Sequence, residues 1–121
     1  MQDFRKLKVW RRSHQLTVQV YRATAAFPKE EIYGLRSQIR RCCASMPANV
    51  TEGCGRGTNA ELAHFLQTAM GSASELEYFL LLVHDLKLLP SATYESLEKE
   101  LLEIKRMLNA LIQKIRRKSN S

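Results

Sequence analysis

The fold of this chain is decided by residues 94–115, which read YESLEKELLEIKRMLNALIQKI. Apolar residues recur there at alternating steps of three and four positions, and charged residues fill most of the places between them. This spacing puts the apolar side chains on one face of an α-helix and is typical of a seam along which helices pack. The predicted seam consists of Tyr94, Leu97, Leu101, Ile104, Leu108, Leu111 and Ile115.

Three more segments upstream have helical periodicity, and short breaks separate them. Phe27-Pro28 ends the first segment, because the residue before a proline avoids the α region. Gly53 suits the end of the second segment, and Thr58-Asn-Ala-Glu61 has the pattern of a capping box at the start of the third. Pro47 inside the second segment removes a backbone donor, so we predict a kink there rather than two separate helices.

These signals predict four helices in a single domain over residues 1–121. Tight connections make consecutive helices antiparallel neighbours. The predicted fold is therefore all-α, an antiparallel up-down-up-down four-helix bundle. The apolar face predicted for the first helix consists of Leu7, Trp10, Thr17, Val20, Tyr21 and Thr24. The predicted helices lie at about 7–26, 31–53, 59–88 and 92–117.

Charge is distributed unevenly along the chain, whose formal net charge is +7. Residues 1–12 hold five Lys or Arg against Asp3, for a net charge of +4, and residues 110–121 hold four against no acid. Residues 61–103 hold eight Asp or Glu against Lys87 and Lys99, for a net charge of −6. Basic ends of this kind attract polyanions such as nucleic acid, although short basic tails also serve solubility alone.

The first residues and the cysteines indicate a cytoplasmic protein. Residues 1–6 lead into mixed-charge sequence without the apolar core of a signal peptide, and we expect no membrane contact. The chain has three cysteines, an odd number without C-x-x-C spacing, which favours neither a disulfide framework nor a zinc site. We expect Cys42, Cys43 and Cys54 to be reduced structural thiols.

Residues 33–56 read YGLRSQIRRCCASMPANVTEGCGR. This segment closely resembles the signature of the 23S rRNA intervening-sequence proteins, a family related to the accessory variability proteins of diversity-generating retroelements. The resemblance covers about residues 4–89. It includes Leu7-Lys-Val-Trp10, Val20-Tyr21, Phe27-Pro28-Lys29, Phe65-Leu66, Ala69-Met-Gly-Ser72 and Glu75-Leu76.

The resemblance implies a non-enzymatic four-helix bundle that assembles into a ring-like homopentamer. The related accessory variability proteins bind nucleic acid and a reverse transcriptase, whereas this sequence looks like the intervening-sequence branch. Together with the basic ends, the resemblance predicts nucleic-acid binding, with RNA as the expected ligand. The alternative is a protein-interaction scaffold or adaptor that holds an unidentified partner without binding nucleic acid.

The candidate phosphate contacts are the arginines of the second helix and the cations near the N-terminus, because Lys and Arg neutralise phosphates and release counterions. They are Arg5, Lys6, Lys8, Arg11, Arg12, Arg36, Arg40, Arg41 and Arg56.

A polar stripe follows the second helix at steps of three and four residues. It is either a binding surface or a hydrogen-bonded seam between helices or subunits, and we favour the seam. Besides Arg41 and Arg56, the stripe contains Gln38, Ser45, Asn49 and Glu52.

No constellation of catalytic residues is visible. Glu61-Leu-Ala-His64 has the E-x-x-H spacing of di-iron bundles, but the second such pair that those sites need is missing from the sequence. Nothing beside Ser45 or Cys42 would activate either as a nucleophile. We therefore expect no enzyme, no cofactor and no metal site.

Overall fold

A computed structural model describes residues 3–119, and within that range the chain forms helices and turns without any strand. The predicted all-α class with four helices is confirmed. None of these helices combines the length and the apolar character that crossing a bilayer requires. The four helices are α1 (Lys8–Ala23), α2 (Ser37–Cys54), α3 (Asn59–Asp85) and α4 (Ser91–Ser119).

The largest difference from the predicted helix boundaries lies before α2. The second helix was predicted to begin at about residue 31, but a π turn occupies Ile32–Arg36 and α2 becomes regular only at Ser37. Gly34 has φ −98° and ψ −107°, which lie outside the helical region. Glycine adopts such angles at little cost because it has no Cβ atom. The Glu31 side chain accepts a hydrogen bond from the backbone N–H of Leu35 across this turn.

Pro47 does not divide α2. The helix continues from Ser37 to Cys54 with the proline inside it, and the proline side chain is buried. The hydroxyl of Thr51 donates to the carbonyl of Pro47 at 2.9 Å. Helix α2 is therefore undivided at Pro47, as expected, and the predicted kink stays a prediction.

The face that α1 buries differs from the predicted face. Leu7 precedes the helix, Trp10 is half-buried and Tyr21 is 41% exposed. Two hydroxyls can be buried in the core because each donates a hydrogen bond to a backbone carbonyl of its own helix. Ser13 donates to the carbonyl of Trp10, and Thr24 donates to that of Val20. The buried side chains of this region are Val9, Ser13, Leu16, Val20 and Thr24.

The seam of α4 is confirmed over most of its length. Near the C-terminus the structure buries Ile112 and leaves Leu111 half-buried. A straight helix has 3.6 residues per turn, so its buried stripe drifts from a repeat of 3.5 residues over several turns. The buried residues of α4 are Leu97, Leu101, Ile104, Leu108, Ile112 and Ile115.

All four helices surround one core, and α1–α2, α2–α3, α3–α4 and α1–α4 are in contact. Helices α1 and α2 meet at Thr17–Cys43 and Thr24–Arg40. Helices α2 and α3 meet at Ser45–Ser72 and Gly53–Leu62, and α3 and α4 meet at Glu77–Lys105 and Gln67–Arg116.

Candidate nucleic-acid interface

The basic C-terminal end of α4 lies beside the start of α3. Nη2 of Arg116 is 3.4 Å from Oε1 of Gln67, in the third turn of α3. Arg56 follows the end of α2, and its Cζ atom lies 4.9 Å from the ring centroid of Phe65 in the same part of α3. The end of α2, the beginning of α3 and the end of α4 therefore meet.

The N-terminal residues reach the same end of the molecule. The 3₁₀ turn Phe4–Lys6 contacts α2. Burial, with a smaller contribution from the charge of Asp3, raises the pKa of Cys54, the last residue of α2. Arg11 donates to the carbonyls of Arg5 and Lys6 at 3.2 and 3.3 Å, which holds the turn against α1.

These contacts bring together cations that are far apart in the sequence. We call this end of the molecule the basic pole. Among residues 3–119 its acidic side chains are those of Asp3, Glu52 and Glu61. Its cations, all of them exposed, are Arg5, Lys6, Lys8, Arg11, Arg56, Lys114, Arg116, Arg117 and Lys118. The four that lie on α4 contributed to the charge count but were not predicted as phosphate contacts. The sequence feature that could have indicated them is an even number of helices with short connections, because such a chain brings both of its ends to one side.

Arg12 was predicted as a phosphate contact but links two helices. Its Nε and Nη2 atoms donate to the two carboxylate oxygens of Glu100 at 2.7 and 2.8 Å, and Nη1 lies 3.8 Å from Sδ of Met107. The hydrogen bond from Arg12 holds the pKa of Glu100 below its ordinary value, and Glu100 in turn raises the pKa of Arg12. Arg12 therefore lies outside the proposed interface.

Arg40 also contacts the protein itself. Its Nε atom donates to the hydroxyl of Thr24 at 3.0 Å, and Nη2 donates to the carbonyl of Tyr21 at 2.8 Å, near the end of α1. The guanidinium also covers the Tyr21 ring, with Cζ 4.5 Å from its centroid. Because the last carbonyls of a helix lack helical partners, Arg40 completes the end of α1.

Arg36 and Arg41 lie away from the basic pole. Arg41 is exposed on α2, and at 1.5 Å per residue it is about 22 Å along the helix axis from Arg56. Arg36 is half-buried at the end of the π turn. Among residues 3–119 no ion pair involves either side chain. The nine predicted phosphate contacts thus do not form one patch.

The centre of the polar stripe is hydrogen-bonded within the protein. The hydroxyls of Ser45 and Ser72 are 2.8 Å apart, between α2 and α3. Asn49 donates through Nδ2 to the carbonyl and the hydroxyl of Ser45, at 2.8 and 2.9 Å. These contacts make the central stripe a seam between α2 and α3.

The two ends of the stripe are exposed. Gln38 and Arg41 lie toward the beginning of α2, and Glu52 lies near its end. Glu52 pairs with Arg56 at 3.1 Å, one helical turn apart. The stripe thus joins the basic pole only through this pair.

The three thiols are free and buried. Burial raises the pKa of Cys42 to about 12 and that of Cys43 to about 11, so neither is a thiolate at neutral pH. Within residues 3–119 no three His, Cys, Asp or Glu side chains are grouped to hold a metal ion. Glu61 instead lies at the start of α3, where its backbone N–H donates to the hydroxyl of Thr58 at 3.2 Å.

A family model described as 23S rRNA-intervening sequence protein matches residues 5–110, which is most of the chain. A similar solved structure is that of a protein with unknown function from the S23 ribosomal protein family of Bacteroides thetaiotaomicron VPI-5482. It has a TM-score of 0.78 and 25% sequence identity, with 87% of this chain and 95% of that chain covered. No curated protein matches the chain at a significant level.

Proposed function

The chain belongs to the 23S rRNA-intervening sequence protein family, and from this membership we propose that it is a non-enzymatic protein that binds nucleic acid through the basic pole. RNA is the expected ligand. The observation that carries the proposal is that nine exposed cations and three acidic side chains of residues 3–119 gather at one end of the molecule. Such a surface neutralises backbone phosphates and gains free energy from released counterions.

We also propose an antiparallel up-down-up-down topology and a cytoplasmic location. The topology is supported by side-chain contacts whose residue numbers rise along one helix and fall along the other in the α1–α2, α2–α3 and α3–α4 pairs. Gly53 meets Leu62 near one end of the α2–α3 contact, and Ser45 meets Ser72 farther along. The location is supported by the cysteines, all three of which are free, since disulfides are rare in the cytoplasm.

The proposed assembly is a ring-like homopentamer, which the resemblance implies. Exposed apolar side chains on the surface of α3 and α4 support self-association, because burying them against another copy removes apolar area from water. Tyr78 is 58% exposed, Leu81 45% and Leu102 40%. Repetition of the basic pole in such a ring would strengthen weak phosphate contacts through avidity. Light scattering tests the assembly, and a monomer of 13.9 kDa would contradict it.

Filter binding of an RNA oligonucleotide at increasing salt tests the proposed function. We expect steeply salt-dependent binding, in which each phosphate contact contributes about 0.7 to the slope of log affinity against log salt for a single strand. The double variant Lys6→Gln/Lys8→Gln should bind more weakly and lower the slope by about 1.4.

The matched control is Arg22→Gln/Lys29→Gln, which removes the same charge from exposed positions at the other end of α1 and in the turn after it. We expect this control to bind almost as the natural chain does. Equal losses in the two double variants would show that net charge alone matters. Absence of RNA and DNA binding even near about 50 mM salt would contradict the proposal.

The second candidate is an adaptor that holds a protein partner without nucleic acid. It is favoured by Tyr33, which the π turn presents with 94% of its surface exposed, since aromatic residues are enriched in protein interfaces. A pull-down with tagged protein distinguishes the candidates. Recovery of one partner that survives nuclease treatment and disappears with Tyr33→Ala would favour the adaptor.

A further inference from the structure

The basic pole carries a continuous row of side chains in contact through their rings. Cζ of Arg5 lies 4.6 Å from the ring centroid of Phe4. The Phe4 ring meets Trp10 edge to face, with centroids 4.9 Å apart. Trp10 and His14 are stacked, with centroids 5.1 Å apart and an angle of 6° between their planes. The row therefore runs from a guanidinium to an imidazole through two aromatic rings.

Local structure holds this row in place. Trp10 and His14 are four residues apart on α1, which places one side chain over the other. Phe4 reaches Trp10 because the 3₁₀ turn folds back on α1, and Asp3 caps that turn by accepting from the N–H of Arg5 at 3.1 Å. Phe4 and Trp10 pack on the core. The rings are thus ordered before any ligand arrives.

The imidazole end of the row is open to solvent. Phe4 and Trp10 are half-buried, whereas His14 is exposed. Within residues 3–119 the imidazole makes no hydrogen bond or ion pair, and its ring contact is the stack on Trp10. Packing of the core does not require an imidazole at this position.

Two exposed arginines flank the row. Arg5 forms the end of the row opposite His14, with its guanidinium over Phe4. Arg11 is three residues before His14 on α1, so these two side chains are neighbours on the surface. Arg11 donates to the backbone through Nη1, and a guanidinium has five N–H groups, so Nε and Nη2 remain for a further acceptor. The row therefore combines a flat ring surface with phosphate-binding groups.

We propose that the Trp10–His14 stack receives an unpaired nucleobase, which stacks on the imidazole while Arg5 and Arg11 contact the flanking phosphates. This inference rests on the proposed function of the basic pole and narrows its ligand to single-stranded nucleic acid or an unpaired nucleotide. Bases within a duplex are covered on both faces, whereas unstacked bases bind aromatic side chains and histidine. Every base has such a face, so no sequence preference is required.

The experiment compares an RNA single strand with an abasic ribose-phosphate chain of the same length, at one salt concentration. The abasic chain presents the same phosphates without bases. We expect the natural chain to bind the base-bearing strand about tenfold more tightly than the abasic chain, as one stacked base contributes in other single-strand binders. Trp10 is the only tryptophan of the chain, so its fluorescence should be quenched by the base-bearing strand and much less by the abasic one.

Variants at His14 separate stacking from charge. His14→Gln removes the ring and should reduce the preference for the base-bearing strand to near unity, whereas His14→Phe keeps a ring and should retain it. The matched control is His64→Gln, at an exposed histidine near the start of α3 whose ring meets Phe65 edge to face. Because both histidines are exposed, the variants should fold, and their helical circular dichroism checks this.

Three results would overturn the inference. One is equal affinity of the natural chain for the two probes, and another is a preference that survives His14→Gln. In both cases salt-dependent binding of either probe would leave the proposed function of the basic pole standing. The third is absence of binding to both probes, which would contradict the proposed function and this inference together.

Discussion

The hydroxyl of Thr17 lies 3.3 Å from the carbonyl oxygen of Cys43 and joins α1 to α2. That carbonyl lacks its usual helical partner, because the residue four positions on is Pro47, which has no N–H. The same hydroxyl is 2.7 Å from the carbonyl of Ser13, so one hydrogen serves two acceptors. A neighbouring helix thus compensates part of what the proline costs α2.

Thr17→Val tests this compensation. We expect the variant to lower the free energy of unfolding by about 1 kcal/mol, because the Cys43 carbonyl loses its donor. In a Pro47→Ala background the cost should shrink, since an N–H is restored inside α2. Urea unfolding of the four proteins measures both effects. Thr68→Val is the control, because the exposed Thr68 donates only within α3, to the carbonyl of His64. An identical cost of Thr17→Val in both backgrounds would contradict the compensation.

The Arg12–Glu100 pair predicts a specific dependence of stability on pH. Hydrogen bonding from Arg12 lowers the pKa of Glu100 from its ordinary value of 4.5. A carboxylate with a lowered folded pKa stabilises the protein fully above its ordinary pKa, and this contribution is lost as the pH falls through the folded pKa.

The difference in stability between the natural chain and Glu100→Gln should therefore be constant near neutral pH and shrink below about pH 4.5. Urea unfolding across this pH range measures it. The control is Glu103→Gln, which removes a partner of the exposed Arg106. We expect its stability to differ less from that of the natural chain, and this difference to change less with pH. A Glu100→Gln difference that grows on acidification would be the opposite of the expected sign.

Two glycines inside helices should respond oppositely to alanine. A Cβ atom at Gly53 would lie 3.0 Å from Cβ of Phe65 and 3.0 Å from Cδ1 of Leu62, so α3 would have to move. We expect Gly53→Ala to lower the free energy of unfolding by about 1–3 kcal/mol through overpacking.

Gly71 is exposed inside α3, and a Cβ atom there would meet nothing within 4 Å. Gly71→Ala should raise the free energy of unfolding by about 0.5–1 kcal/mol, because alanine favours the helix. Thermal or urea unfolding measures both variants. Stabilisation by Gly53→Ala would show that α2 and α3 are less closely fixed than these distances indicate.

The cysteines predict a loss of stability at alkaline pH. Burial raises the pKa of Cys42 to about 12 and that of Cys43 to about 11, above the ordinary 9.0. An acid with a raised folded pKa stabilises the protein below its ordinary pKa, and this contribution is lost as the pH rises toward the folded pKa. The free energy of unfolding should therefore fall above about pH 9.

The same burial predicts that Cys42 and Cys43 react with a thiol reagent only when the protein opens. Labelling should be slow in buffer and complete in denaturant. The double variant Cys42→Ala/Cys43→Ala should show a shallower alkaline decline in stability than the natural chain. Rapid labelling of both thiols in the folded protein would contradict their burial.

Local patterns predicted much of the fold. The seam of α4 follows from apolar spacing, and the start of α3 follows from Thr58, whose hydroxyl caps Glu61. The predicted face of α1 was partly wrong, because Ser13 can enter the core by bonding to its own helix, which spacing does not reveal. The π turn before α2 depended on the angles of Gly34, which a helical pattern does not encode.

The candidate site was less predictable. Lys6 and Lys8 are exposed, whereas Arg12 and Arg40 contact other helices. A cation in a sequence carries its charge whether it meets phosphate or a buried partner. Only its neighbours in space separate the two roles.

The sequence by itself determined which segments become helices, where most of them end and most of the residues by which α4 faces the core. Those properties depend on residues within a few turns of one another. The tertiary structure alone decided that Arg12 meets Glu100, 88 positions away, and that Arg5, Arg56 and Arg116 gather at one end. These relationships follow from how the helices pack, because side chains distant along the chain become neighbours only when the apolar faces have closed on one core.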